Sequence, residues 1–94
     1  MMGAHNAMKN VADDRDKRNL FHGYKSTVED KAGIVFEKWQ PIKYTEQVVA
    51  GMYYNIKVKV SASKYIHAKV FQPLPHTGQV AMCENFSDGH TEDD

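Results

Sequence analysis

Cysteine is almost missing from this sequence: Cys83 is the only one in 94 residues. One thiol makes no intramolecular disulfide and no thiolate metal cluster. A small domain without such staples depends on its core alone, which points to a reducing compartment, the cytoplasm. Net charge is missing too, since 12 basic side chains face 12 acidic ones. That excludes strong attraction of the whole molecule to nucleic acid or to a membrane surface. No segment approaches the roughly 18 apolar residues that a spanning helix needs. The opening "MMGAHNAMKN" has no apolar run of signal-peptide length.

Chemistry-bearing motifs are equally scarce. The chain has no Gly-rich phosphate loop, no nucleophile elbow and no paired-carboxylate arrangement for acid–base catalysis. His5, His22, His67, His76 and His90 show no metal-ligand spacing. Cys83 stands beside Ala81 and Met82 in a strand-like run, where a cysteine acts as a small hydrophobe rather than as an activated nucleophile. The expectation is one soluble domain over residues 1–94, with no catalysis, no metal and no cofactor.

What is present is an ordinary globular composition, 41% hydrophobic and 26% charged, enough for a single modest core. Residues 1–9 are small, polar and unpatterned, and read as a flexible arm. Leu20, Tyr24, Val28 and Ala32 then fall four apart with Phe21 alongside, the stripe of an amphipathic helix over about 13–31. Asp13, Asp14 and Asp16 sit at its positive end, and Gly33 is suited to cap its carboxyl end. Gly23, inside the helix, costs about 1 kcal/mol relative to Ala and implies either close packing or local distortion.

Beyond Gly33 the period becomes two. Trp39, Ile42 and Tyr44 open a strand that Pro41 must bulge or leave at an edge. In "MYYNIKVKV", Met52, Tyr54, Ile56, Val58 and Val60 take one face, and Tyr53, Asn55, Lys57 and Lys59 the other. After the turn "SAS", Ile66, Ala68 and Val70 point inward, with Tyr65, His67, Lys69 and Phe71 outward. The loop "QPLPHTG" leads to a shorter last strand in "QVAMCENF", followed by an acidic tail over 87–94. One helix before four antiparallel strands is an α+β layer architecture.

Two surfaces invite a functional reading. The outward face, with Tyr53, Lys57, Lys59, Tyr65, His67, Lys69 and Phe71, interleaves basic and aromatic residues as single-stranded nucleic-acid binders do. Solvated lysines that discourage edge pairing account for the same pattern, and no nucleic-acid motif accompanies it. The loops are harder to explain by stability. "QVVAG" and "PLP" join antiparallel neighbours, so in a meander they emerge at the same end. Val48, Val49 and Leu74 then form an exposed apolar ridge, and such clusters mark binding surfaces.

With these residues in view, the sequence resembles the stefins, the disulfide-free type-1 cystatins. The likeness runs in order through Gly3, the helix, "QVVAG" at 47–51, "IKVKV" at 56–60 and "HAKVFQPLPH" at 67–76. It implies the cystatin fold, a long helix held by a curved antiparallel sheet of four to five strands. It also implies reversible, tight inhibition of papain-like, cathepsin-type cysteine proteases. The matching wedge would comprise Gly3 and Ala4 in the trunk, Gln47, Val48, Val49, Ala50 and Gly51 in the first hairpin, and Leu74, Pro75 and His76 in the second. The loops would enter the primed side of the protease cleft, with the trunk along the non-primed subsites. The inhibitory form would be a monomer, with a domain-swapped dimer accessible if the β-branched turn opens. No nucleic-acid or membrane partner is expected. The sequence departs from the stefin pattern at Gly23, at Cys83 and in its polar ending, "DGHTEDD".

Overall fold

The computed structural model describes residues 8–91. A two-residue strand, β1 (Lys9–Asn10), and a 3₁₀ turn (Val11–Asp13) lead into two helices, α1 (Arg15–His22) and α2 (Lys25–Ala32). Four strands follow: β2 (Gln40–Val49), β3 (Gly51–Lys59), β4 (Tyr65–Pro73) and β5 (Met82–His90). All five form one antiparallel sheet in the order β1-β2-β3-β4-β5. The α+β expectation holds, with the short β1 supplying the fifth strand.

The helical stripe works as read, with Phe21 as its anchor. Phe21 and Val28 are fully buried, and the Phe21 ring meets those of Tyr44 and Tyr54 edge-on at 5.0 and 5.1 Å. Asp14 caps α1, its Oδ1 accepting from the Lys17 N–H at 3.1 Å. Gly33 closes α2 in the left-handed region at φ 74°, a conformation glycine adopts without strain.

The single long helix is instead two short ones, and Gly23 marks the break. Tyr24 N–H turns back to the Phe21 carbonyl at 3.1 Å, a tight three-residue closure. The same carbonyl accepts the Trp39 indole N–H at 2.9 Å. A partner from another segment thus joins at the carbonyl where the helical ladder is interrupted.

Both expected tails are shorter than their sequence suggests. Lys9 is already in β1, in register with Tyr44. β5 starts later than expected and runs on to His90, so 87–90 of the acidic stretch are strand. Gly89 at φ 78° sits where the register slips between Tyr65 and His67. This bulge brings His90 over His67, the two rings stacked 3.6 Å apart and 7° from parallel. Pro41 is accommodated as expected, by a register shift between Pro41 and Lys43.

Candidate functional site

The first loop is the turn between β2 and β3. Val49 pairs with Gly51 across Ala50, and Val48 with Met52. Val48 is 75% exposed at this tip, and Val49 is exposed beside it. Gly51 is buried at φ 132°. A Cβ there would lie 2.6 Å from the Gln72 carbonyl oxygen and 2.9 Å from the Phe71 ring. Both the torsion and the space demand glycine.

The second loop follows β4. Leu74 is 40% exposed, and Pro75–Thr77 form a 3₁₀ turn. Thr77 donates to the Leu74 carbonyl twice, from its N–H at 3.1 Å and its hydroxyl at 2.8 Å. Gly78 ends the turn at φ 71°. A loop closed by its own hydrogen bonds has less ordering left to undergo on binding. Behind it, Tyr24 Oη donates to Gln72 Oε1 at 2.5 Å, tying the helix break to the strand that delivers the loop. Burial pushes the Tyr24 phenol well above its ordinary pKa, with the neighbouring Tyr54 adding to the effect.

One pairing aligns the two loops. Gly51 is opposite Pro73, so the chain leaves β4 beside the turn that opens β3. Val48, Val49 and Leu74 therefore share one end of the sheet, as anticipated. Gln47 is half-buried, whereas Ala50, Pro75 and His76 are exposed. Gly3 and Ala4 lie outside the described residues. No Asp, Glu, Lys or Arg occurs over 47–56 or 72–82, so this edge carries no formal charge apart from any on His76.

Thr77, Gly78 and the pair Tyr24–Gln72 were not among the expected site residues. "HTG" after "PLP" carries a turn signal, a polar residue before a glycine. The Tyr24–Gln72 bond spans 48 positions and leaves no local trace.

The outward sheet face answers the nucleic-acid reading. Its aromatic rings are already engaged by the protein's own lysines. Lys69 Nζ lies 4.6 Å from the Tyr53 ring centroid, and Lys57 and Lys59 lie 5.3 and 5.9 Å from that of Tyr65. Tyr53 also packs on Phe71 at 5.0 Å and donates to Glu84 Oε2 at 2.9 Å. Lys57, expected to be solvated, is only 4% exposed. These rings serve a cation–π ladder, and nothing on this face supports a base-stacking platform.

Two chemical readings, a metal site and a reactive thiol, are addressed by the described residues. No group of three or more His, Cys, Asp or Glu side chains is suited to a metal ion there. Cys83 is buried, its Sγ donates to the Asn85 carbonyl at 3.2 Å, and burial raises its pKa. A protonated, covered thiol is a poor nucleophile. Among the same residues no helix is long and apolar enough to cross a membrane.

Fold and site together define a binding protein, one that presents two ordered apolar loops at one end of a helix-backed sheet. The chain belongs to the cystatin family: the Cystatin domain matches residues 25–90. It is 39% identical to Cystatin-A1 of Sus scrofa over 70 residues, 74% of this chain and 68% of that protein. Cystatin-A of Felis catus is 40% identical over 70 residues, covering 74% and 71%. Leukocyte cysteine proteinase inhibitor 1 of Sus scrofa is 40% identical over 70 residues, covering 74% and 68%.

Proposed function

We propose that this protein is a reversible, tight-binding inhibitor of papain-like, cathepsin-type cysteine proteases and not an enzyme. The observation that carries the reading is the apolar ridge of Val48, Val49 and Leu74, aligned by the Gly51–Pro73 pairing. Stefin-type relatives, one of them named a cysteine proteinase inhibitor, supply the target class. A cytoplasmic location belongs to the same proposal and is supported by the single cysteine.

The inhibitor performs no chemistry in this mechanism. The first loop, Gln47 to Gly51, and the second, Leu74 to His76, enter the cleft and cover the catalytic cysteine without offering it a peptide bond in attackable geometry. Fully burying an exposed side chain of this size is worth about 1.5–3 kcal/mol. Val48, 75% exposed, has most of that to gain, and Val49 and Leu74, already partly covered, have less. Because both loops are ordered beforehand, less of that gain is spent on ordering.

The trunk, with Gly3 and Ala4, lies along the remaining subsites in this proposal. Its reach is adequate. Lys9 opposes Tyr44, and going back from Asn10 to Lys9 moves along β2 from Lys43 to Tyr44, toward the first loop. The five residue-to-residue steps from Met8 back to Gly3 span at most about 17 Å. The stretch of β2 from Tyr44 to Val49 is about the same length.

The active form proposed is the monomer. Opening the turn at Ala50 would merge β2 and β3 into one strand that exchanges between copies, and such a dimer would lack the first loop. Titration of active papain tests the proposal. Stoichiometric inhibition by the monomer is expected, with a loss of about 100-fold or more for Val48→Asp at unchanged melting temperature. Absence of inhibition at micromolar concentration would overturn it.

A further inference from the structure

The two loops do not account for all the apolar surface at their end of the sheet. Val80 and Met82, where the chain enters β5, are 81% and 57% exposed. Met82 is in register with Phe71, which pairs with Tyr53, two positions behind the Gly51–Pro73 pair. Two positions along a strand are about 7 Å. Val80 precedes Met82 by two residues, and β5 is antiparallel to β4, so the chain at Val80 lies toward the level of Pro73 and the second loop.

The surface between is continuous in character. No Asp, Glu, Lys or Arg interrupts the chain from Gln72 to Met82. Glu84 ends the uncharged run, its carboxylate engaged by the Tyr53 hydroxyl at 2.9 Å. Behind the flank is an open cleft of about 530 Å³, lined by Gly23, Tyr24 and Thr27, by the charged Asp30 and Lys31 of α2, and by the chain from Val80 to Cys83. The uncharged character thus belongs to the loop-and-flank chain and not to the cleft behind it. Ala81 and Cys83, which alternate with Val80 and Met82, turn into the protein and pack with the core. Stability thus explains Ala81 and Cys83, and leaves Val80 and Met82 unexplained. Single exposed apolar residues are ordinary, but two that extend an apolar ridge enlarge a binding surface.

We propose that Val80 and Met82 form a further contact element of the protease-binding edge, flanking the second loop on the side away from the first. The occupant is an uncharged, apolar stretch on the rim of the protease cleft, and the inference rests on the inhibitory function proposed above. Proteases with a charged rim at that position are bound less tightly for this reason, which makes the flank a determinant of selectivity.

The test compares wild-type protein with a Val80→Ser, Met82→Ser double variant, with Val48→Asp as control. Both residues are exposed, so the variant is expected to melt as the wild type does. Its inhibition constant for papain should rise about tenfold, mainly through faster dissociation. An unchanged constant for the variant beside a potent wild type would overturn the flank and leave the inhibitory function standing. Failure of the wild type to inhibit would overturn both. Methyl NMR of wild-type protein bound to papain alkylated at its active-site cysteine gives an independent readout. Val80 and Met82 methyl signals should shift, whereas those of Val35, 82% exposed and in a groove with Val60 and Lys64, should not. Unperturbed Val80 and Met82 signals in a formed complex would overturn the proposal.

Discussion

Gly51 and Pro73 face each other across β3 and β4, and this pair sets both apolar loops at one end of the sheet. The approach is close enough that a methyl group on Gly51 has no room beside the Gln72 carbonyl. Gly51→Ala therefore combines a positive-φ torsion with a backbone clash. The expected cost is at least about 2 kcal/mol in urea unfolding, with papain inhibition weakened further because the loops are pushed apart. A variant as stable and as potent as wild type would contradict this geometry.

The indole of Trp39 holds the helix break. Trp39→Phe removes a buried donor to the Phe21 carbonyl and part of a ring packed on Phe36 at 5.7 Å. A loss of about 1–3 kcal/mol is expected. Trp39 is the only tryptophan, so far-UV circular dichroism rather than fluorescence should follow the unfolding.

Alkaline pH should destabilise the fold. Burial raises the phenol pKa values of Tyr24, Tyr44 and Tyr54, with the carboxylates of Asp14 and Glu46 adding to the latter two. The hydrogen bond to Glu84 raises that of Tyr53. The unfolded chain releases these protons near pH 10, the folded chain only above it. Their contribution is thus whole below about pH 10 and declines as pH rises toward the folded values. The share of phenolate absorbance that comes from Tyr24, Tyr44 and Tyr54 should accordingly rise together with loss of helical signal, rather than ahead of it.

Cys83 should be silent in the folded protein. With its thiol buried and its pKa raised, a disulfide reagent at pH 8 is expected to modify it only in denaturant. Rapid labelling of the native protein would mean that the entry to β5 opens readily.

The sequence by itself determined the order of elements, because period and punctuation are local. Strand alternation, the glycine cap at Gly33 and the bulge at Pro41 each follow from a few neighbouring residues. The apolar loops were visible as residues out of place on turns, and the resemblance to stefins turned them into a site. Tertiary structure decided what depends on distant partners. The helix breaks at Gly23 where Trp39 reaches the Phe21 carbonyl. Lys57 lies buried on a face that reads as solvated, with the Tyr65 ring of the neighbouring β4 against its ammonium group. Gly89 bulges β5 so that His90 stacks on His67, making strand out of what reads as an acidic tail. A hydrogen bond or ring contact formed over tens of residues is fixed by packing, and packing leaves no periodic signature in the chain.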